Sequence, residues 1–340
     1  MNLSKSSVLS DVNVEQAYRW LCQQRKHFPA NADIWHIRFH WEQEKEALLQ
    51  AIKCDRFYFK PLQKLVKSNG EVIHLWSSID SLMLKILALS LAPILPSSEL
   101  CTHICGHGGA KQTVNDIYHQ SQSKTFVFRT DVQSYYESID HDILIDKLSY
   151  YIQDKWVIHL LTQYLKRTVE VGGNFIDIKQ GISASCPLSP LIASFFLYEL
   201  DCAMEKRAVF YRRYMDDIIV LSQTKWQLRR AIQCANQHFA TLGLKQHPDR
   251  TFIGRISAGF DFLGYQFGEQ TISPSQRTLT NHISRLLRLY EQKKGHPDRV
   301  TFLDDYRQRW LSWVSAGLTV PFTLNDDVNL NPLTPMQIKT

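Results

Sequence analysis

Four residues, Tyr214-Met215-Asp216-Asp217, constrain this chain more than any other stretch. Apolar, strand-like segments flank them, Val209 to Tyr214 before and Ile218 to Leu221 after, so they read as the tight turn of a β-hairpin. Aspartate is favoured in turns for its local hydrogen bonding, and two in a row are by themselves only turn chemistry. A further aspartate changes that. Phe126 to Val132 alternates as a strand and carries Asp131 at its end, with Tyr135 and Tyr136 just beyond. If the two strand segments are neighbours in one sheet, Asp131 and Asp216 converge. Clustered carboxylates repel one another, divalent cations relieve the repulsion, and hard oxygen ligands suit Mg²⁺. Two such ions about 3.5–4 Å apart activate an attacking oxygen and stabilise the leaving one in phosphoryl transfer.

The rest of the chain reads as a folded α+β protein. Its 340 residues exceed what one core usually serves, so two or three subdomains are expected. With 44% apolar and 21% charged residues it is neither disordered nor fibrous. A net charge of +6 permits a polyanionic partner without requiring one. Seven cysteines, an odd number without a CxxC pair, suit a reducing compartment better than a disulfide scaffold. The longest apolar stretch, Leu82 to Leu95, is interrupted by Lys85, Ser90 and Pro93 and is too short to span a bilayer. The first residues lack the apolar centre of a signal peptide. A cytoplasmic location without membrane contact is expected.

Helical periodicity covers Val14 to Leu21, with Asn13 and Gln16 as a cap, and a second helix covers about 41–53. Ser68-Asn69-Gly70 marks a hairpin within 57–76, and Asp80 opens an apolar helix from Ser81 to about Ala92. Helices follow at about 142–153 and 155–167, a single buried helix at Leu188 to Leu200, another at 224–242, and a strand pair at Gly259 to Phe267. Two amphipathic stripes, Leu279 to Tyr290 and Phe302 to Trp313, form a basic tail with eight Lys/Arg against four Asp/Glu between 277 and 310. Cys101, His103, Cys105 and His107 are packed into seven residues with no second half elsewhere, which strains the tetrahedral closure a zinc site needs.

Five stretches in order, FRTDVQSYYESIDHDIL, QGISASCPLSPLIASFFLYELD, RRYMDDIIVL, LGLKQHPDRT and GFDFLGYQF, resemble the successive palm motifs of a reverse transcriptase, closest to the bacterial group II intron and group II-like enzymes. The resemblance spans about 55–316. It implies a right-hand polymerase: an N-terminal helical extension (1–56), fingers (57–125), a palm with an antiparallel sheet (126–268), a helical thumb (269–320) and a tail (321–340). It implies catalysis by Asp131, Asp216 and the more peripheral Asp217, with the Val132 carbonyl completing the site for two Mg²⁺ ions that Mn²⁺ can replace. Tyr136 takes the place of the aromatic gate that favours dNTPs. Gln180 and Gly181, in the loop running to Pro190, together with Lys64, Lys67, Lys245 and Arg250, fall where the nucleotide is held. Tyr214, Met215, Ser189, Pro190, Phe262, Leu263, Gly264, Tyr265, Arg285 and Arg288 fall along the primer and template. A closely packed palm–thumb hinge is the other role open to residues 262–265.

The partners implied are an RNA template, a DNA or RNA primer and dNTPs. The activity implied is RNA-directed DNA synthesis. The group II pattern carries Pro-Gln-Gly where this chain has Ser183-Ala184-Ser185, and no DNA-binding or nuclease extension follows residue 316. Two alternatives follow: a stand-alone antiphage-defence enzyme copying a dedicated noncoding RNA or polymerising without an ordinary template, and an RNA-binding maturase that keeps only the fold. An RNA-dependent RNA polymerase would commonly carry Gly-Asp-Asp at the turn. Oligomeric state is not legible.

Overall fold

A computed structural model describes residues 3–66, 70 and 72–318. Helices α1 (Lys5–Val8), α2 (Asp11–Gln24), α3 (Asp33–Phe39) and α4 (Trp41–Lys53) lead into strands β1 (Leu62–Val66) and β2 (Val72–Leu75). Helix α2 begins earlier than its periodicity implied. Ser10 caps it by accepting from the Asn13 backbone, which frees the Asn13 amide to reach Ser90 on the next long helix at 3.1 Å. That helix, α5 (Ser78–Leu91), also starts early, because Ser77 caps it and Asp80 lies buried in its first turn. The Arg25 guanidinium is buried between α2 and α5. It donates to the Ser78 and Ser81 hydroxyls and to the Trp76 carbonyl at 2.5–2.8 Å, fixing the N-terminal helices to the body.

Helix α6 (Gly109–Ser121), strand β3 (Phe126–Thr130) and helices α7 (Tyr135–Ser138), α8 (His141–Tyr151) and α9 (Lys155–Leu165) follow. Strands β4 (Thr168–Val171) and β5 (Asn174–Asp177) form a hairpin for which no strand was expected, since its two short strands surround Gly172-Gly173 and β5 is exposed throughout. The apolar run at 188–200 is two helices, α10 (Ser189–Phe196) and α11 (Tyr198–Glu205), separated at Leu197. Next come β6 (Phe210–Tyr214), β7 (Asp217–Ser222), α12 (Lys225–Thr241), β8 (Phe252–Arg255), β9 (Phe260–Phe262), β10 (Tyr265–Phe267), β11 (Ile272–Pro274), α13 (Gln276–Gln292) and α14 (Arg299–Ser315).

The central sheet is antiparallel, in the order β6-β7-β3-β8. Alternate side chains leave its two faces for two different cores: Tyr211, Ile218, Val220 and Phe128 enter the main one, while Val127, Ile219 and Leu221 enter a second built with α6, β9, β10 and Val314. Burial on both faces is why the run Ile218 to Leu221 shows no polar alternation. A separate sheet, β2-β1-β4-β5, pairs β1 with β4 in parallel. It joins segments from both sides of the boundary expected at 125/126, so that boundary does not separate the sheets. The turn expected at 68–70 falls largely outside the described residues. Among the described residues, no helix is long and apolar enough to cross a membrane.

Candidate active site

Register puts the carboxylates together. Thr130 pairs with Ile218 and Tyr214 with Asp217, so the end of β3 lies beside the two-residue turn Met215-Asp216. Asp131 is 4% exposed. Burial, a hydrogen bond with Asp131 and the charges of Asp131 and Asp217 push the Asp216 carboxyl up to about 7. Asp217 is pushed up to about 6, first by burial and then by Asp131, with Arg250 and Arg129 opposing. Burial and mutual repulsion thus disfavour the charged forms of Asp216 and Asp217, and hard oxygen donors gathered in this way fit a divalent cation. The donors are not drawn up into a closed cage. Among the described residues no group of three or more His, Cys, Asp or Glu stands ready as a ligand set, and Arg250 Nη1 lies 2.5 Å from Asp131 Oδ2.

Met215 has φ of +56°, a left-handed conformation rarely adopted by a side-chain-bearing residue. Two groups hold it. His103 Nδ1 accepts from the Met215 N–H at 3.1 Å, while its Nε2–H donates to the Pro190 carbonyl at 3.2 Å. Burial pushes the imidazole down to about 4, so it stays neutral and keeps one donor and one acceptor. From the other side Arg213 Nη1 donates to the Met215 carbonyl at 2.7 Å. Arg213 and Asp201 are both fully buried and paired through two hydrogen bonds of 2.8 and 2.5 Å, with the Tyr211 hydroxyl donating to Asp201 at 2.7 Å. The sequence showed His103 only within a Cys/His run and Arg213 and Asp201 only as letters in motifs.

Residues 56–267 match the family described as reverse transcriptase (RNA-dependent DNA polymerase). The chain belongs to that family. It is also 24% identical over 176 residues to Protein YkfC of Escherichia coli (strain K12), covering 42% of this chain and 46% of that one. With the uncharacterized 91 kDa protein in cob intron of Schizosaccharomyces pombe (strain 972 / ATCC 24843) it shares 25% identity over 162 residues, covering 46% of this chain and 20% of that protein. The match thus spans less than half the length of either relative. A solved structure titled Partial Cas6-RT-Cas1--Cas2 complex aligns with TM-score 0.42 at 17% identity, over 69% of this chain and 41% of that one.

In this chain Val132 is buried and paired with Gln246, while the neighbouring Gln133 N–H donates to the Lys245 carbonyl at 2.8 Å, so the Lys245 backbone lies along the segment that follows Asp131. The Lys245 side chain itself is exposed. Tyr136 stands half-buried near Asp216 and Cys186; burial first, then those two groups, push its hydroxyl up to about 12. Its carbonyl accepts from Ile182 at 2.6 Å, and the Ile139 carbonyl accepts from Gly181 at 2.8 Å, which bind the 180–190 loop to α7. Gly181 has φ of +84°, and a Cβ there would stand 2.7–2.8 Å from the Glu137 and Tyr136 backbones, so no other residue fits. Gln180 is exposed and donates to the Ser138 carbonyl.

Ser183 and Ser185, the departures from the group II pattern, turn toward the other sheet. The Trp76 indole donates to Ser183 Oγ at 3.1 Å, and Ser185 donates to the His74 carbonyl of β2. Ser189 is fully buried, with its hydroxyl bonded to the Ser183 carbonyl and to Tyr164. Pro190 is half-buried and offers its carbonyl to His103.

Phe262 and Tyr265 are also buried. Tyr265 donates to the Val314 carbonyl of α14 at 2.8 Å and accepts from Lys111 at 2.5 Å, and Lys111 lies 3.9 Å from the Trp313 ring centre. Only the Leu263-Gly264 turn, with φ of +47° and +86°, is left on the half-exposed rim. Arg285 and Arg288 are exposed on α13, and Lys64 is exposed on β1. Lys67 lies outside the described residues. The cysteine and histidine run forms the loop before α6, with Cys101 buried and Cys105 exposed, and no zinc cluster is found among the described residues.

Proposed function

We propose that this chain is an RNA-directed DNA polymerase that joins dNTPs to a primer 3′ end on an RNA template. The observation that carries it is the register that sets the end of β3, with Asp131, beside the Met215-Asp216 turn and Asp217, at one end of a sheet buried on both faces. Asp131, Asp216, Asp217 and the Val132 carbonyl would hold two Mg²⁺, or Mn²⁺ in their place, which when bound supply the charge that activates the primer hydroxyl and steadies the pyrophosphate. The chain's own residues do the rest. Arg250, already against Asp131, is the cation nearest the leaving phosphates, with Lys245, Lys64 and Lys67 as further nucleotide contacts. The Tyr136 ring sets the floor under the incoming sugar, and Gln180 with Gly181 forms the wall beside it.

Residues 57–125, 126–268 and 269–320 would serve as fingers, palm and thumb, with β4 and β5 joining the fingers sheet from within the palm segment. The Tyr214-Met215 and Leu263-Gly264 turns with Arg285 and Arg288 would follow the primer and template phosphates. A pure RNA-binding role is disfavoured, because unrelieved acid charge beside phosphates repels them.

Primer extension on a DNA-primed RNA template tests the proposal. Incorporation of dNTPs is expected, to stop when divalent cations are chelated and to return with Mg²⁺; no incorporation with any divalent ion would end it. The gate is tested separately. Tyr136→Ala is expected to raise NTP use relative to dNTP about tenfold, since a pocket that loses a steric wall loses discrimination of that order. An unchanged ratio would remove Tyr136 from the sugar.

A further inference from the structure

At the end of the β6–β7 hairpin opposite the carboxylates, Lys206, Arg207, Ala208, Val209, Trp226, Gln227 and Arg230 line a cleft of about 360 Å³. Trp226 is 67% exposed. Lys206, Lys225, Arg229 and Arg230 are exposed around it, and among the described residues none of these cations forms an ion pair. Arg207 is half-buried and steadied by a hydrogen bond to the Ala203 carbonyl. Between residues 206 and 230 the acids are Asp216 and Asp217, both at the far turn; Glu205 precedes the patch. Five strand residues at about 3.3 Å each put the cleft some 17 Å from that turn. It cannot touch the reacting atoms.

An indole left in water amid cations has little to gain from a folded protein surface, and duplexes keep their base faces covered. An unpaired strand offers both a base to stack on the ring and phosphates for the surrounding charges. We propose that this cleft is a second nucleic-acid site, which holds an unpaired polynucleotide segment with a base on Trp226 and its flanking phosphates on Lys206, Arg207 and Arg230. It takes nothing from the polymerase proposal except that nucleic acid is at hand. An acidic protein segment would satisfy the cations but not the ring.

The test uses the full chain with unstructured 20-nucleotide RNA and DNA strands, a 20-base-pair duplex and a polyglutamate peptide, each followed by fluorescence anisotropy. A 4-thiouridine RNA is also cross-linked and its adduct mapped. A cross-link to the peptide containing Trp226 is expected. Trp226→Ala is expected to weaken binding of an unpaired strand about tenfold and to leave the duplex unaffected. Lys206→Glu with Arg230→Glu is expected to flatten the salt dependence by about two phosphate contacts. The RNA and DNA strands show which sugar the cleft prefers. Extension of a short primed template by both variants should stay within about twofold of the parent, which separates this site from the catalytic one. Unchanged strand affinity in Trp226→Ala would overturn the proposal, and so would charge-sensitive binding of the peptide with no cross-link at Trp226.

Discussion

Asp216→Asn is expected to lower dNTP incorporation by about 10³-fold or more while leaving the protein folded. A ligand to catalytic divalent ions supplies several kcal/mol of transition-state stabilisation, and about 1.4 kcal/mol corresponds to each factor of ten. The fold should tolerate the change for a local reason. Burial and two neighbouring carboxylates already disfavour a charge at position 216, so a neutral amide of the same shape removes repulsion without leaving a cavity. Single-turnover primer extension, compared with a urea melt of the same variant, checks both halves. Undiminished incorporation would show that chemistry does not pass through this turn. A large loss of stability would show that Asp216 is chiefly structural.

Asp201→Ala is expected to cost about 3–5 kcal/mol of folding stability, the largest effect foreseen for any residue away from the carboxylates. The change strands the Arg213 guanidinium, fully buried, without its counter-ion, and takes the partner of the Tyr211 hydroxyl with it. Arg213→Lys probes the same network more gently. An ammonium keeps the charge but cannot reach Asp201 through two nitrogens while also bonding the Met215 and Ser194 carbonyls, as the guanidinium does. That variant should fold less stably and also extend primers more slowly, because Met215 is left in its left-handed conformation with the His103 contact alone. Urea melts and incorporation rates measured together would sink the positioning role if stability fell and the rate did not.

How the group II departure at 183–185 is accommodated illustrates what neighbouring residues hide. In the sequence these serines put template contact in question. In the fold the Ser183 hydroxyl accepts from Trp76 and the Ser185 hydroxyl donates to the backbone of β2, so they tie the 180–190 loop to a sheet more than a hundred residues upstream. Similarly, Tyr265 reads as a primer contact by its place in a motif, yet its hydroxyl is spent on α14 and Lys111.

Whatever depends on adjacent residues could be taken from the sequence. The hairpin around Tyr214–Asp217, the strand ending at Asp131, the helices α4, α8, α9 and α12, and the ordered motifs that imply the family all rest on periodicity, turn chemistry and local pattern. Only the tertiary structure decided the strand order that sets β3 between β7 and β8, the Arg250 contact with Asp131, and the grip of His103 and Arg213 on Met215. The reason is physical. A buried hydrogen bond or ion pair joins groups far apart in the chain, and the energy that selects it comes from removing both from water, which no run of neighbouring residues records.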